Sequence, residues 1–400
     1  MNARRIALVL LLLLFAMTGV GISNAQAAGL CVHPKGAGNC FTTIQAAVDA
    51  ANDGDTILIR TGKYVEQVTI LDKDLSLIGA NGVIVQAPLG MQDTMSAVAG
   101  VEGRPIILAA NADVTLRNLT IDGFNSADAN PYLDGITFVS AGGVIRDNVI
   151  KNVSFADPQP VYQGNGIVVA NQMATPRTIV ISGNRITKFN SVGITVFAET
   201  DPMSPAESTL TAHILNNQIV AQGENSVIDQ WGIFLGGYSF ATPQTSVTGT
   251  IKGNRVRDAL MSAPYMLPGV GIVTMYTHDV VVKDNAVENS NVGVAANLSF
   301  TSQIKGNKII GPQAMGTGST GLIFSGSDSS IAENEFQKLD LGLMLVVDDP
   351  LFGSATNTAL DGNKFEKVAM DMLTGAVNSS MSTFSTQAVP EQAERRFGPR

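Results

Sequence analysis

The sequence predicts an all-β protein that folds as a single right-handed parallel β-helix, a solenoid with three short strands in each coil. Two landmarks support this prediction, because an Asn before a short apolar strand alternates without exception with a Gly before another apolar strand. The tightest repeat, from Asn285 to Asn307, is 22 residues long, which leaves room for three strands and three turns. The Asn landmarks are Asn118, Asn148, Asn184, Asn217, Asn254, Asn285, Asn307, Asn334 and Asn363. The Gly landmarks are Gly135, Gly166, Gly193, Gly232, Gly271, Gly293, Gly321 and Gly342.

The Asn landmarks predict an internal ladder of side-chain amides. The turn that carries the Asn never grows in length, whereas the other two connections do. Asn tolerates the left-handed backbone angles of a tight bend, and its amide can bond to the Asn one coil away. The alternative is a row of amides that bind a ligand. We favour the structural ladder, because every coil of a solenoid must be held against the next.

A short amphipathic helix is predicted before the first strand. Residues 42–45 read Thr-Thr-Ile-Gln, a capping box in which Thr42 and Gln45 exchange hydrogen bonds with the backbone. Ile44, Ala47, Val48 and Ala51 then fall on one stripe, and residues 52–55 form a turn before the strand 56–59. A solenoid needs its exposed core covered at the end, and this helix is suited to cover it.

The same region carries a family resemblance. Residues 43–51 (TIQAAVDAA), 54–57 (GDTI), 62–64 (GKY) and 75–79 (LSLIG) are similar to the opening of pectin-lyase-fold proteins, among them pectinesterases and bacterial β-helix proteins. The resemblance covers residues 41–82 and implies the β-helix fold. It also implies a substrate cleft whose floor is formed by the strands that follow the Gly landmarks, which we call the Gly strands. It implies no reaction, because the catalytic motifs of the lyases, polygalacturonase-like hydrolases and pectinesterases are missing from the sequence.

The N-terminus predicts export. Arg4 and Arg5 precede an apolar run from Ile6 to Val20, and residues 25–27 (Ala-Gln-Ala) form a cleavage site. A membrane anchor is the alternative, but the run is short for a full span. Cys31 and Cys40 are the only two cysteines. Because an exported protein meets oxidising conditions, they are predicted to form a disulfide rather than a reactive or metal-binding pair.

Four regions follow from these observations. They are a signal peptide (1–27), a disulfide-pinned lead-in with the capping helix (28–55), the parallel β-helix (56–374) and a flexible tail (375–400). The mature protein is predicted to lie in the periplasm or outside the cell, with no membrane span after cleavage.

The net charge of the protein limits the classes of polymer that it is expected to bind. The formal net charge is −9, and removal of Arg4 and Arg5 with the signal makes it −11. A strongly acidic protein repels phosphate backbones, so nucleic acid is excluded as a partner. The same repulsion counts against polyanionic polysaccharides unless cations bridge them.

The Gly strands should be apolar on both faces. The first and third positions after each Gly are expected to point into the core, and the second and fourth to point outward. The outward positions hold no carboxylate, Lys, Arg or His. Strands of this kind are usually buried on both sides, so either the long loops fold over this sheet or a second copy packs on it by self-association.

Most of the aromatic residues with a polar group fall in the loops that flank the Gly strands. Aromatic rings pack well against sugar faces, so we predict that these residues bind a glycan or cell-surface polysaccharide; the alternative is that they pin the loops to the solenoid. They are Tyr132, Tyr162, Trp231, Tyr238, Tyr265 and Tyr276.

A weak acidic column is expected where the Gly strands end. Such carboxylates could share a cation such as Ca²⁺ or serve acid–base catalysis, although Asp before Pro is typical of ordinary turns. The catalytic candidates are Glu199, Asp201, His278, Asp348 and Asp349. We predict no dedicated metal site. Three functions stay open: a secreted binding protein, which we favour, a polysaccharide lyase or glycoside hydrolase that uses these carboxylates, and a structural envelope component.

Overall fold

The chain forms a parallel β-helix in the structure, which is a computed structural model. The structure describes residues 29–97, 102–124, 132–155, 163–199, 208–225, 230–238, 245–261, 268–312, 318–349 and 353–375. The predicted signal peptide and, apart from Gly375, the predicted tail lie outside these residues.

Three parallel sheets run along the solenoid, and each coil contributes one strand to each of them. The first sheet has twelve strands in consecutive coils. They are Gly29–Val32, Thr56–Ile59, Leu75–Gly79, Asp113–Arg117, Gly142–Arg146, Arg177–Ser182, Ser208–Leu215, Thr245–Lys252, Val280–Lys283, Gln303–Lys305, Ser330–Ala332 and Ala359–Asp361. The predicted all-β solenoid with three strands per coil is confirmed.

The second sheet carries the strands that follow the Asn landmarks, and the third sheet carries those that follow the Gly landmarks. The second sheet contains Gly62–Val65, Val83–Gln86, Thr120–Asp122, Val149–Val153, Arg185–Phe189, Gln218–Asn225, Arg255–Met261, Ala286–Glu288 and Lys308–Ile310. The third sheet contains Val68–Leu71, Glu102–Ala110, Tyr132–Val139, Gln163–Asn171, Val192–Glu199, Trp231–Tyr238, Val270–His278, Val292–Phe300 and Thr320–Phe324. Two long strands, Glu335–Val346 and Lys364–Gly375, run through both sheets.

The remaining elements are short. Thr94–Met95 pairs antiparallel with Glu102–Ala110, and Gly326–Ser327 pairs with Ala355–Thr356. A 3₁₀ turn spans Ala37–Asn39.

The predicted capping helix spans Ile44–Ala50 and buries Ile44, Ala47 and Val48 against the core. Its N-cap is Thr43, which accepts a hydrogen bond from the Ala46 amide, rather than Thr42. The cap differs by one residue because Glu66 also accepts hydrogen bonds from the Ile44 and Gln45 amides. The Cys31–Cys40 disulfide is present, as predicted, beside this helix at the start of the solenoid.

Eight Asn residues form the predicted ladder inside the corner between the first and second sheets. Each Nδ2 donates to the Oδ1 of the next Asn at 2.9–3.1 Å, from Asn148 to Asn363. Each Oδ1 also accepts from the previous backbone amide, as Asn217 does from Asn184 at 2.9 Å. Because the first seven members are at most 1% exposed, these bonds satisfy amides that would otherwise be buried without partners.

The left-handed residue of this corner is the one before the ladder Asn. Asp147 and Asn216 have φ of 55° and 53°, so the Asn side chain is free for the ladder. Asn118 is itself the left-handed residue (φ 58°), and Leu119 occupies the ladder position in that coil. The prediction that Asn118 belongs to the ladder was therefore wrong by one position.

The Gly landmarks lie where the second sheet turns into the third. A Cβ on Gly166 would lie 2.6 Å from Ile186 Cγ2 and 2.5 Å from the Gly193 carbonyl oxygen. Gly is required here because the backbone passes directly over a buried side chain. The next positions, such as Ile167 and Val169, are fully buried in the core.

Candidate functional site

The outward face of the third sheet forms a second apolar cluster, separate from the core of the solenoid. We call it the outer cluster. Its buried members are Ala97, Val168, Ala170, Val192, Phe197, Phe234, Val270, Val273, Val292, Ala295, Ile323, Leu341, Met344, Val346 and Leu373, with Trp231 and Met275 packed against them. The alternation predicted for the Gly strands is confirmed.

This face is already buried within a single chain. Its buried members are at most 9% exposed, although the outward side of a solenoid sheet would otherwise meet solvent. Of the two predicted alternatives, burial supports a chain that folds over its own sheet. The open apolar surface expected to drive self-association is not found among the residues of the outer cluster.

Trp231 and Phe234 form an aromatic pair on this face. Their rings stack at a centroid distance of 5.6 Å and an interplanar angle of 22°. The Phe234 ring extends along its strand over Gly236, where a Cβ would lie 2.9 Å from ring carbon Cζ. Trp231 is partly exposed, while its indole Nε1 is buried and, among the described residues, has no hydrogen-bond partner. A buried donor without an acceptor is unfavourable, so this N–H is available to an acceptor that reaches the edge of the indole.

A buried carboxyl group lies at the same end of the third sheet. Asp134 accepts hydrogen bonds from Thr137 Oγ1 and Asn165 Nδ2, both at 2.9 Å. It is 3% exposed. Burial raises the pKa of Asp134 to about 6, against the lowering effect of the bonds from Asn165 and Thr137. A carboxyl group with this acidity is suited to proton transfer near neutral pH, but its bonding also fits a structural role.

Asp134 was not predicted as a site residue, because the outward positions were counted only forward from each landmark Gly. Asp134, Asn165 and Trp231 each directly precede a landmark Gly, so they share one position in different coils. Counting one place back from each Gly would have found this row. Trp231 lies three coils beyond Asp134, about 14 Å at the usual strand spacing.

The predicted carboxylates do not converge. Glu199 ends its third-sheet strand in register with Tyr238, and its carboxylate contacts Gln172 Nε2 at 3.4 Å. Asp348 lies five coils further on, a separation of about 24 Å. Both residues follow their landmark Gly by six positions, but they are separated along the solenoid axis.

The other candidates lie at the same edge or outside the described residues. His278 stacks on Phe300 at 5.0 Å, and Asp349 is buried with a backbone bridge to Gly353. Asp201 lies outside the described residues. Among the residues that the structure describes, no group of three or more His, Cys, Asp and Glu side chains is arranged to hold a metal ion.

The four predicted aromatic residues whose backbone the structure describes lie toward the two edges of the third sheet. Tyr132 and Trp231 begin their strands. Tyr238 ends its strand, and Tyr276 takes a left-handed conformation (φ 52°) near the end of Val270–His278. The side chains of Tyr132 and Tyr238 lie outside the described part, as do Tyr162 and Tyr265 entirely. Of the six, the side chains of Trp231 and Tyr276 are described, and they lie toward opposite edges of the third sheet.

The fold and this face together define a right-handed parallel β-helix protein with the pectin-lyase fold, as the opening of the sequence predicts. In the part of the chain that the structure describes, no helix is long and apolar enough to cross a membrane.

Comparison with known proteins agrees with the fold. A family model described as "Periplasmic copper-binding protein (NosD)" matches residues 236–381. No curated protein matches the chain by sequence. The chain is similar to DFA-IIIase from Arthrobacter chlorophenolicus A6 without its lid, at 12% identity and a TM-score of 0.50, over 83% of this chain and 88% of that one.

Two further structures are more distantly similar. The A-module of the mannuronan C-5 epimerase AlgE4 of Azotobacter vinelandii has 15% identity and a TM-score of 0.46, over 82% of this chain and 92% of its own. The family 28 exopolygalacturonase of Yersinia enterocolitica has 11% identity and a TM-score of 0.47, over 88% and 77%. At these identities the likeness concerns the fold alone.

Proposed function

We propose that this chain is an exported protein that binds a glycan at Trp231 and the neighbouring loops, and that it acts as a binding protein rather than an enzyme. The observation that carries the proposal is the Trp231 indole. Its ring is partly exposed and stacked on Phe234, and its buried N–H has no acceptor within the described part of the chain.

These properties suit a sugar. The apolar face of a pyranose packs on an indole ring, while a neighbouring hydroxyl oxygen can accept the indole hydrogen. Phe234 stacks on the ring, and Val192 and Val270 flank Trp231 in register on the two neighbouring strands. A ring held in one place loses little conformational entropy when a ligand binds.

The distance between carboxylates supports binding over catalysis. Glycoside hydrolases hold two carboxyl groups about 5–9.5 Å apart across the scissile bond. Glu199 and Asp348 are about 24 Å apart by coil count. Among the described residues, the hydrogen-bond partners of the Asp134 carboxyl are Thr137 and Asn165, and neither is a second carboxyl group.

Export is supported by three features. The N-terminus combines Arg4, Arg5 and an apolar run with an Ala-Gln-Ala cleavage site at residues 25–27. The Cys31–Cys40 disulfide suits an oxidising compartment. The family model that matches residues 236–381 describes periplasmic proteins.

The single tryptophan makes a direct test available. The purified protein is titrated with a panel of plant and bacterial glycans, and tryptophan emission is recorded with calorimetry in parallel. We expect at least one glycan to change the emission in a saturable manner. Binding heat without any change in tryptophan emission would contradict a site at Trp231.

Variants separate the two contributions of the residue. Trp231→Phe keeps a ring and removes the N–H, so it should weaken binding by about tenfold, as for one lost hydrogen bond of about 1.5 kcal/mol. Trp231→Ala should abolish measurable binding. Phe124→Ala, at an aromatic residue that is 54% exposed and lies outside the outer cluster, is the matched control and should bind as the wild type does.

A further inference from the structure

The corner that contains the Asn ladder also carries a line of positive charge on its outside. For each ladder position from Leu119 to Asn307, we take the two residues that precede it and the one residue that follows it. We call this set, which spans seven coils from Arg117 to Lys308, the ladder edge. In this set, eight side chains are cationic and two are carboxylates. The cations are Arg117, Arg146, Arg185, Lys252, Arg255, Lys283, Lys305 and Lys308, and the carboxylates are Asp147 and Asp284.

This balance is opposite to that of the whole chain. The formal net charge of the protein is −9, whereas the ladder edge has an excess of six positive charges. A charge excess of this kind is not expected from composition, because acids outnumber bases by 34 to 25 over the sequence. Cationic residues are therefore concentrated at this corner of the coil repeat.

The strand register aligns these side chains along the solenoid axis. Lys252 pairs with Lys283, and Lys283 with Lys305, in three consecutive strands of the first sheet. Across the corner, Arg255 and Lys308 belong to one column of the second sheet, with Ala286 between them. Seven coils at the usual strand spacing give a line about 29 Å long.

The cations are accessible, and most of them form surface ion pairs. Six of the eight are exposed, and Lys283 and Lys305 are partly exposed. Six have a carboxylate partner at 2.9–3.8 Å: Arg117 and Arg146 with Asp147, Arg255 with Glu288, Lys283 with Asp284, Lys305 with Glu333 and Lys308 with Glu335. Exposed pairs of this kind contribute at most about 1 kcal/mol, so a ligand can replace them.

Two of the central cations have no carboxylate partner. Among the described residues, neither Arg185 nor Lys252 lies within 4.0 Å of a carboxylate oxygen. Both are exposed. The middle of the ladder edge thus presents charge that the protein does not neutralise itself.

We infer that the ladder edge binds an extended anionic polysaccharide that lies along the solenoid axis. The positive surface is a line two side chains wide, and it is bordered in the second sheet by mixed charges such as Asp122 with Lys151 and Arg257 with Glu288. A single extended chain fits such a line. A membrane or a nucleic-acid duplex would instead meet the net negative surface beside it.

The net charge counts against polyanionic polysaccharides that no cation bridges, but a bound chain meets the local charge rather than the net charge. Screening limits surface charges to about 8–10 Å at moderate salt, so a chain on the ladder edge interacts mainly with the local excess. The inference is independent of Trp231, which lies in the third sheet.

The test compares dextran sulfate with uncharged dextran, because the two share a backbone. The full-length mature protein is titrated with each at several NaCl concentrations. We expect binding to dextran sulfate that weakens as salt rises, and no binding to dextran. The variant Lys252→Gln/Lys283→Gln/Lys305→Gln should weaken binding at least tenfold and lower the salt dependence of log K by about two, since each contact on a single-stranded polyanion releases about 0.7 counterion.

A matched variant separates position from net charge. Lys188, Lys338 and Lys367 are exposed lysines with left-handed backbone outside the ladder edge, and their replacement by Gln changes the net charge equally. This control should bind within about twofold of the wild type, because the local excess of the ladder edge is unchanged.

Three results would overturn the inference. They are equal losses in the two triple variants, no binding to dextran sulfate at low salt, and capture by anionic vesicles or a single-stranded oligonucleotide in preference to dextran sulfate. Trp231→Ala should leave dextran sulfate binding unchanged, so failure of the Trp231 site and failure of the ladder edge are distinguishable.

Discussion

Replacement of Asp134 by Asn should remove a pH dependence of stability that the wild type has. The pKa of Asp134 is raised to about 6 in the folded protein, mainly by burial, and an unfolded Asp titrates near about 3.9. Between these values the folded state holds the proton more tightly than the unfolded state. The stability of the wild type therefore falls as pH rises from about 4 to about 6 and is then constant.

The magnitude follows from the size of the shift. About two pKa units correspond to about 3 kcal/mol in total, and about 2 kcal/mol of this falls between about pH 4.5 and pH 7.5 because the unfolded carboxyl is already largely ionised at the lower pH. In the variant, the introduced amide oxygen can still accept from Asn165, and the Thr137 hydroxyl can turn to accept instead of donate. The variant should thus fold with the same local bonding and without the titration.

The assay is urea unfolding of both proteins at about pH 4.5 and about pH 7.5. The wild type should lose about 2 kcal/mol relative to Asp134→Asn between the two conditions. Asp122→Asn is the control. Burial alone would raise the pKa of Asp122, but bonds from Asn152, the Phe124 amide and Lys151 together lower it. Asp122 therefore titrates below the pH range of the assay. Parallel pH profiles for the wild type and Asp134→Asn would refute the reasoning.

Three further predictions concern the solenoid and its start. Asn217→Ala should lower the free energy of unfolding by about 3 kcal/mol or more, because it leaves the buried Asn184 amide and the Ile181 carbonyl without partners; chemical denaturation measures this. Removal of the Cys31–Cys40 disulfide should cost at most about 3 kcal/mol and should increase hydrogen exchange in the first strand while the central coils stay protected. Intact mass of the exported protein should show cleavage directly after residue 27.

The repeat explains why so much of the fold could be predicted from the sequence. The ladder Asn recurs in eight consecutive coils, and so does the landmark Gly, so both can be read from the sequence without coordinates. Asn217 satisfies four groups at once, and Gly166 lies against Ile186 with no room for a Cβ. The error at Asn118 arose because the tight corner also favours Asn at its left-handed position, one residue before the ladder.

The site was harder to predict because its residues do not repeat. Trp231 was identified by its residue type, but its unsatisfied N–H depends on contacts that no spacing encodes. Asp134 directly precedes its landmark Gly, at a position that holds Asn in the next coil and mostly apolar residues further on, so a count forward from each Gly did not find it. The carboxylates showed the opposite problem, since Glu199 and Asp348 share a position within the coil yet are separated along the axis.

The ladder edge shows how a β-helix can place charge independently of its net value. Each position in the coil becomes a column with a step of about 4.8 Å, so a residue preference at one position becomes a continuous surface. Lys252, Lys283 and Lys305 precede their ladder Asn by two residues, which fixes them in one line whatever the loops contain. Net charge averages this line with acids on other faces of the solenoid, so it does not describe the charge that a partner would meet at the ladder edge.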